Sequence, residues 1–288
     1  MERERWLELY GLAHRLGRAY TQGVRYSVAT IVVVYLWAVV HDRPVCWACR
    51  RENWGEGLWR GRLPSQSCMS RRLQSEPVRA LLAAIEQALR QTAPPAEAKS
   101  IDSKPLQVGC YSKDQAALRG RAGRRIFAHG YKLHLIYDGR PVPAAWRVES
   151  MNVHDTNAAI HLIPQLQGSG YLVGDGQYDS NRLYDLAGQH GHQLVAPKRA
   201  GRGMGHQYQS PWRVACQKLC ASPLGRKLLA GRSAIERVFS GLTSFGGGLA
   251  SLPAWVRTPV RVQLWVQAKL LINAIRILQR QRALLAVA

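Results

Sequence analysis

Three carboxylates stand where a charge is hard to keep. Asp102 interrupts an extended run in "SIDSKP". Asp175 follows the apolar "YLV" of residues 171–173 and sits between Gly174 and Gly176, which leave the backbone room to turn. Glu236 lies in "GRSAIERVFSGL", with Ile235, Phe239 and Leu242 spaced as one helical stripe and Arg232 four residues earlier on the same face. A carboxylate at the end of an apolar strand is unfavourable unless a cation neutralises it. Carboxylates brought together repel, and each raises the pKa of the others. A hard divalent ion relieves that repulsion: Mg²⁺ takes oxygen ligands and keeps several waters. Two such ions about 3.5–4 Å apart activate an attacking oxygen and steady a leaving one in phosphodiester displacement. Each acid also has a plain alternative. A strand-end aspartate caps the next turn, and Glu236 pairs with Arg232 or stays solvated.

The elements that must position these acids change character along the chain. Residues 1–95 read as a helical N-terminal region. "SVATIVVVYLWAVV" (27–40) carries no charge and reads as a buried helix or strand, being shorter than the ~18 residues that span a bilayer. Glu2, Glu4 and Glu8 argue against a signal peptide. Ser65 or Ser67 caps a short helix bearing Met69, Leu73 and the pair Arg71-Arg72. Val78, Leu81, Leu82, Ile85 and Leu89 then recur at helical spacing. The two helices read equally as a helix-turn-helix and as an ordinary helical hairpin. Pro94-Pro95 marks the boundary to a second domain over 96–288.

Beyond the prolines come a first strand (100–109), a Gly- and Arg-rich loop "LRGRAGRR", and a hairpin from Phe127 to Val148 turning at Asp138-Gly139. A helix opened by Asp155 or Thr156 follows, then the strand ending at Asp175 and a helix capped by Asp179 or Ser180. The strand "QLVAPKR" precedes a polar segment, 201 to about 223, that reads as an exposed loop; the last quarter is helical. Strand, hairpin, helix, strand, helix, strand is the order of a ribonuclease H-like α/β fold, a mixed sheet flanked by helices. In that fold the first and fourth strands are neighbours, so Asp102 and Asp175 meet, and a helix across them delivers Glu236.

Charge narrows the partners. The 288 residues carry 40 Lys and Arg against 18 Asp and Glu, a net +22, which favours a polyanion. Arg119, Arg121, Arg124, Arg125, Lys198, Arg199 and Arg202 are candidate phosphate contacts, with Arg71 and Arg72 in the N-terminal region. Six cysteines in a chain of this length read as reduced thiols rather than a disulfide framework. Cys46 and Cys49 have half of a zinc site's spacing with no second half, and Cys216 and Cys220 share a helix face. His190 and His192 read as surface residues in a turn.

The stretches around the three acids resemble the DDE transposases of bacterial insertion sequences. The resemblance covers about residues 98–280 and is most specific in "VGDGQYDSNRLYDLAGQHGHQLVAPKR"; "SMNVHDTNAA" is similar to the linker before the second acid. It implies that Asp102, Asp175 and Glu236 coordinate Mg²⁺ or Mn²⁺, with water and then a DNA 3′-OH as nucleophiles. Arg232 would position Glu236 or a scissile phosphate. Seventy-three residues lie from Asp102 to Asp175 and 61 from Asp175 to Glu236, leaving little room for the large insertion some relatives place in the second gap. Many members carry Y-x-x-R-x-x-x-E with a Lys seven residues on; here Leu229 and Thr243 stand at the Tyr and Lys positions. The implied partners are double-stranded DNA, as terminal inverted repeats and as target, and a second copy of the chain; the implied setting is a bacterial cytoplasm, at the nucleoid when bound to DNA. A nuclease of this fold and a transposase-derived DNA-binding protein without catalysis are the rival readings.

Overall fold

The computed structural model describes residues 2–18, 25–109, 111–123, 125–199, 208–244, 248–249 and 251–286. The chain forms two compact units. One comprises Met1–Thr92, Leu242–Leu249 and Val260–Ala288; the other comprises Ala93–Gly241 and Ala250–Pro259.

The first unit opens with α1 (Glu2–Gly17), α2 (Val28–Val40), α3 (Val45–Ala48), α4 (Gln66–Arg72) and α5 (Glu76–Arg90). The uncharged stretch is the helix α2, capped by Ser27, whose hydroxyl accepts from the Thr30 N–H at 3.1 Å. Every residue of α2 except Thr30 is buried, as an all-apolar helix inside a protein requires. Ser65 caps α4, accepting from the Cys68 N–H at 3.3 Å. All five apolar residues that mark the α5 periodicity are buried. No described helix is long and apolar enough to cross a membrane.

The second unit holds the sheet: β1 (Ala98–Gln107), β2 (Arg119–Gly123), β3 (Ile126–Tyr137), β4 (Ala145–Ser150), then α6 (Asp155–Leu162), β5 (Gly170–Val173), α7 (Asn181–Gln189) and β6 (His192–Val195). β3 pairs antiparallel with both β1 and β4, whereas β1–β5 and β5–β6 are parallel. The resulting order, β4-β3-β1-β5-β6, is that of a ribonuclease H-like sheet. Ile101, Ile136, Leu172 and Leu194 from the strands pack with Leu162, Leu183, Tyr184 and Ala187 from the helices. Gly139, at φ +85°, makes the turn that closes β3.

Several local expectations are corrected. The Arg- and Gly-rich segment is not a loop but contains β2, which pairs antiparallel with the outer part of β3. The segment after β6 is not an exposed loop throughout: α8 (Pro211–Ala221) and α9 (Pro223–Gly231) fill its latter part, and Cys216 is wholly buried. His154, not Asp155 or Thr156, caps α6, its ring nitrogen accepting from the Thr156 N–H. Ser180 occupies the cap position of α7 without a side-chain bond, and Asp179 accepts from Arg213 instead of capping the helix. His192 is no surface residue; it begins β6 and is buried. Cys216 and Cys220 do share a face of α8, with their sulfurs 3.7 Å apart.

After α10 (Ser233–Thr243) the chain returns to the first unit as α11 (Pro259–Leu285). Lys269 of α11 is 0% exposed, and its Nζ donates to Val39 O at 2.9 Å and to Asp42 Oδ1 at 2.5 Å. Burial lowers its pKa while Asp42 opposes the shift. A buried ammonium is tolerated because both donations replace lost water.

Candidate active site

Register places the two aspartates side by side. The last parallel pair of β1 and β5 is Ser100 with Val173, and each strand reaches its acid two residues later. Asp102 remains within the β1–β3 ladder, opposite Leu135. Asp175 instead leaves β5 and opens a short 3-10 turn, Gly176–Tyr178, where its Oδ1 accepts from the Gln177 N–H at 2.8 Å. The turn cap and the site acid are thus one residue. Gly174 is needed for clearance rather than for turning: a Cβ there would lie 2.8 Å from the Tyr178 ring. Tyr178 is buried, and its hydroxyl is held far above its ordinary pKa by burial first, then by the charges of Asp155, Asp102 and Asp175.

Asp102 is the perturbed acid. Burial pushes its carboxyl up to about 6, with the charges of Asp175 and Asp155 adding to the rise. The Ser103 N–H, donating at 2.8 Å, and Arg232 oppose it. Arg232 stands at the junction of α9 and α10, with one terminal nitrogen 3.6 Å from Asp102 Oδ2 and the other donating to Glu236 Oε1 at 2.9 Å. The guanidinium therefore links the first acid to the third. Glu236 is 59% exposed, in the first turn of α10 where the helix dipole favours an anion. Leu229 is half-buried near the end of α9, and Thr243 closes α10.

A fourth acid belongs to this neighbourhood and was not picked out from the sequence. Asp155 Oδ1 accepts from Lys132 Nζ at 3.0 Å and from the Ser103 hydroxyl at 3.1 Å. It thereby ties β3 and α6 to the residue next to Asp102. His134 is buried 3.6 Å away, with no hydrogen-bond partner on either ring nitrogen, and burial drives its pKa down to about 4. It is neutral at physiological pH, leaving Lys132 as the cation. The signal was in β3: a Lys inside the apolar run from Tyr131 to Ile136 requires a buried partner.

The donor set suits a hard cation in part. Asp102 and Asp175 are oxygen donors whose charges reinforce one another, and Arg232 is the cation beside them. Glu236 is turned to Arg232, and among the described residues no three His, Cys, Asp or Glu side chains are grouped to hold one metal ion.

Of the basic residues, Arg119, Arg121, Arg125, Lys198 and Arg199 are exposed in the second unit. Arg124 and Arg202 lie outside the described residues. The segment after β6 is anchored at Arg199, whose N–H donates to Asp179 Oδ2 at 3.1 Å, and Arg213 grips the same carboxylate at 2.7 and 2.8 Å. Burial would raise the Asp179 pKa, but these hydrogen bonds outweigh it and hold the carboxyl below its ordinary value. Arg71 and Arg72 end α4 in the first unit, Arg71 exposed and Arg72 half-buried.

No curated protein matches the chain. Among solved structures it is similar to one described as a cryo-EM structure of a piggyBac transposase synaptic complex with hairpin DNA. The identity is 10% and the TM-score 0.45, over 93% of this chain and 71% of the other. The family described as Transposase DDE domain matches residues 94–271, more than half of the sequence and all of the residues that carry the acids, and the chain belongs to that family.

Proposed function

We propose that the protein is a DNA transposase that cuts the ends of its element and joins them to target DNA. The observation that carries this reading is the Asp102–Asp175 pair. Two carboxylates stand two residues beyond the last pair of adjacent parallel strands, one of them pushed up to about 6, with Arg232 as the cation that links Asp102 to Glu236. Asp102, Asp175 and Glu236 are the residues that would hold Mg²⁺ or Mn²⁺. Bound there, a divalent ion supplies activation of an oxygen nucleophile and stabilisation of the leaving oxygen.

The chain's own side chains do the rest. Arg232 neutralises Asp102 and Glu236 in the resting site, and its planar fork suits a scissile phosphate once DNA arrives. Asp155 and Lys132 fix Ser103 and so the orientation of its neighbour Asp102. The exposed Arg119, Arg121, Arg125, Lys198 and Arg199 hold the DNA backbone without reading sequence, together with Arg124 and Arg202. Water and then a DNA 3′-OH are the nucleophiles. Residues 1–95 recognise the terminal inverted repeats, and a homodimer brings two ends together in a bacterial cytoplasm.

The test uses purified protein and duplexes that carry the DNA flanking its reading frame, with Mg²⁺, Mn²⁺ or chelator. Metal-dependent nicks that leave 3′-OH ends, followed by joined products, support the proposal. Nicking without joining would make the protein a nuclease, and end binding with no nicking in either metal would make it a DNA-binding relic.

A further inference from the structure

The ribbon formed by β2 and the outer part of β3 has two unlike faces. Its register pairs Arg119 with His129, Gly120 with Ala128 and Arg121 with Phe127. Residues directly opposite, and residues two apart on a strand, share a face. Arg119, Arg121, Phe127 and His129 therefore lie together, and all four are exposed, Phe127 at 56%. The other face is closed by the chain itself: a Cβ on Gly120 would lie 2.1 Å from Met151 O. The Arg119 guanidinium carbon stands 5.4 Å from the centre of the Phe127 ring. The one carboxylate between residues 109 and 129, Asp114, accepts from the Tyr131 hydroxyl and the Thr258 N–H, each at 2.8 Å.

We infer that this face binds a DNA strand with unpaired bases, Phe127 stacking on a base while Arg119 and Arg121 take the flanking phosphates. The inference rests on the DNA reading above and adds the form of DNA. In a duplex the flat faces of the bases are covered by one another, so an exposed phenyl ring finds no π-surface there. An unpaired base offers one, and arginines beside an aromatic ring are the usual composition of a single-strand platform. A second copy of this chain is the poorer occupant, because it also carries +22 and would meet the arginines with like charge.

The experiment measures fluorescence anisotropy of labelled oligothymidylate and of a duplex of equal length with the full-length protein. Phe127→Ala should bind oligothymidylate about tenfold more weakly than wild type, the scale of one lost base stack, with duplex affinity unchanged. Phe127→Tyr, which keeps the ring, should retain wild-type affinity for both. The double change Arg119→Ala, Arg121→Ala should weaken both complexes and flatten their salt dependence. Since Phe127 is a surface residue, the melting temperature of Phe127→Ala should match wild type. Unchanged oligothymidylate binding by Phe127→Ala, or equal losses on both DNAs, would overturn the inference. Wild-type protein that binds duplex but not oligothymidylate would overturn this inference alone; binding to neither would also overturn the proposed function.

Discussion

Asp102→Asn should make the metal-free protein more stable while abolishing its chemistry. Burial raises the Asp102 carboxyl from an ordinary 3.8 to about 6, so in the folded state the charged form is disfavoured. At ~1.36 kcal/mol per pKa unit, that is about 3 kcal/mol of folding free energy absent at neutral pH. The amide keeps an acceptor for the Ser103 N–H, and the opposing pull of Arg232 at 3.6 Å is already contained in the value of about 6. The net gain is about 3 kcal/mol, or roughly 5 °C in Tm for a chain of 288 residues. The sign fixes the pH dependence. Between 3.8 and about 6 the folded state holds a proton that the unfolded state has lost, so wild-type stability falls as pH rises through that window. The variant lacks this fall. Thermal melts in chelator at several pH values from 4 to 8 should show the two proteins nearly alike at the acid end and separating up to about pH 6.5. A variant less stable than wild type at pH 7.5, or a gap that does not change with pH, would refute the reasoning.

Other changes test the surroundings of the acids. Arg232→Lys removes the fork that spans Asp102 and Glu236, and should slow end cleavage about 10–100-fold with an unchanged melting temperature. Cleavage at the wild-type rate would remove Arg232 from the site. Asp155→Asn leaves the buried Lys132 ammonium without its anion and should cost about 3 kcal/mol in urea unfolding, the low end for a broken buried pair because the amide still accepts a bond. An unchanged urea midpoint would mean that the pair contributes nothing. Arg71→Ala with Arg72→Ala should weaken binding to the element's ends by about tenfold or more relative to random DNA if these residues read bases. Equal losses in a gel shift would reduce them to phosphate contacts.

The sheet and its two aspartates were legible because both leave the same marks in one dimension. Apolar strands bounded by Asp138-Gly139 and by glycines around Asp175 gave the strand order, and the order placed Asp102 beside Asp175. β2 was not legible, since Arg-Gly-Arg has no apolar alternation and Gly120 is demanded by a neighbouring backbone rather than by a turn. α8 was hidden for a similar reason: its buried residues are Arg213 and Cys216, one held by Asp179 and the other packed under Ala196. The Lys132–Asp155 pair spans 23 residues, and the link between Lys269 and Asp42 spans 227. Only the bare presence of a Lys in an apolar run announces such partners. The sequence could place Arg232 and Glu236 on one face, but not show the guanidinium reaching on to Asp102.

The most direct measurement is nicking of a DNA end by wild type and Asp175→Asn, each with Mg²⁺ and with chelator, beside a binding assay on the same DNA. The substitution removes one negative charge and nearly preserves shape, and the amide can still accept from the Gln177 N–H and cap its turn. If Asp175 serves to hold a divalent ion, wild type nicks only with metal, and the variant binds DNA normally but does not nick. Metal-dependent nicking that persists undiminished in Asp175→Asn would contradict the account, leaving Asp175 as a turn cap and no more.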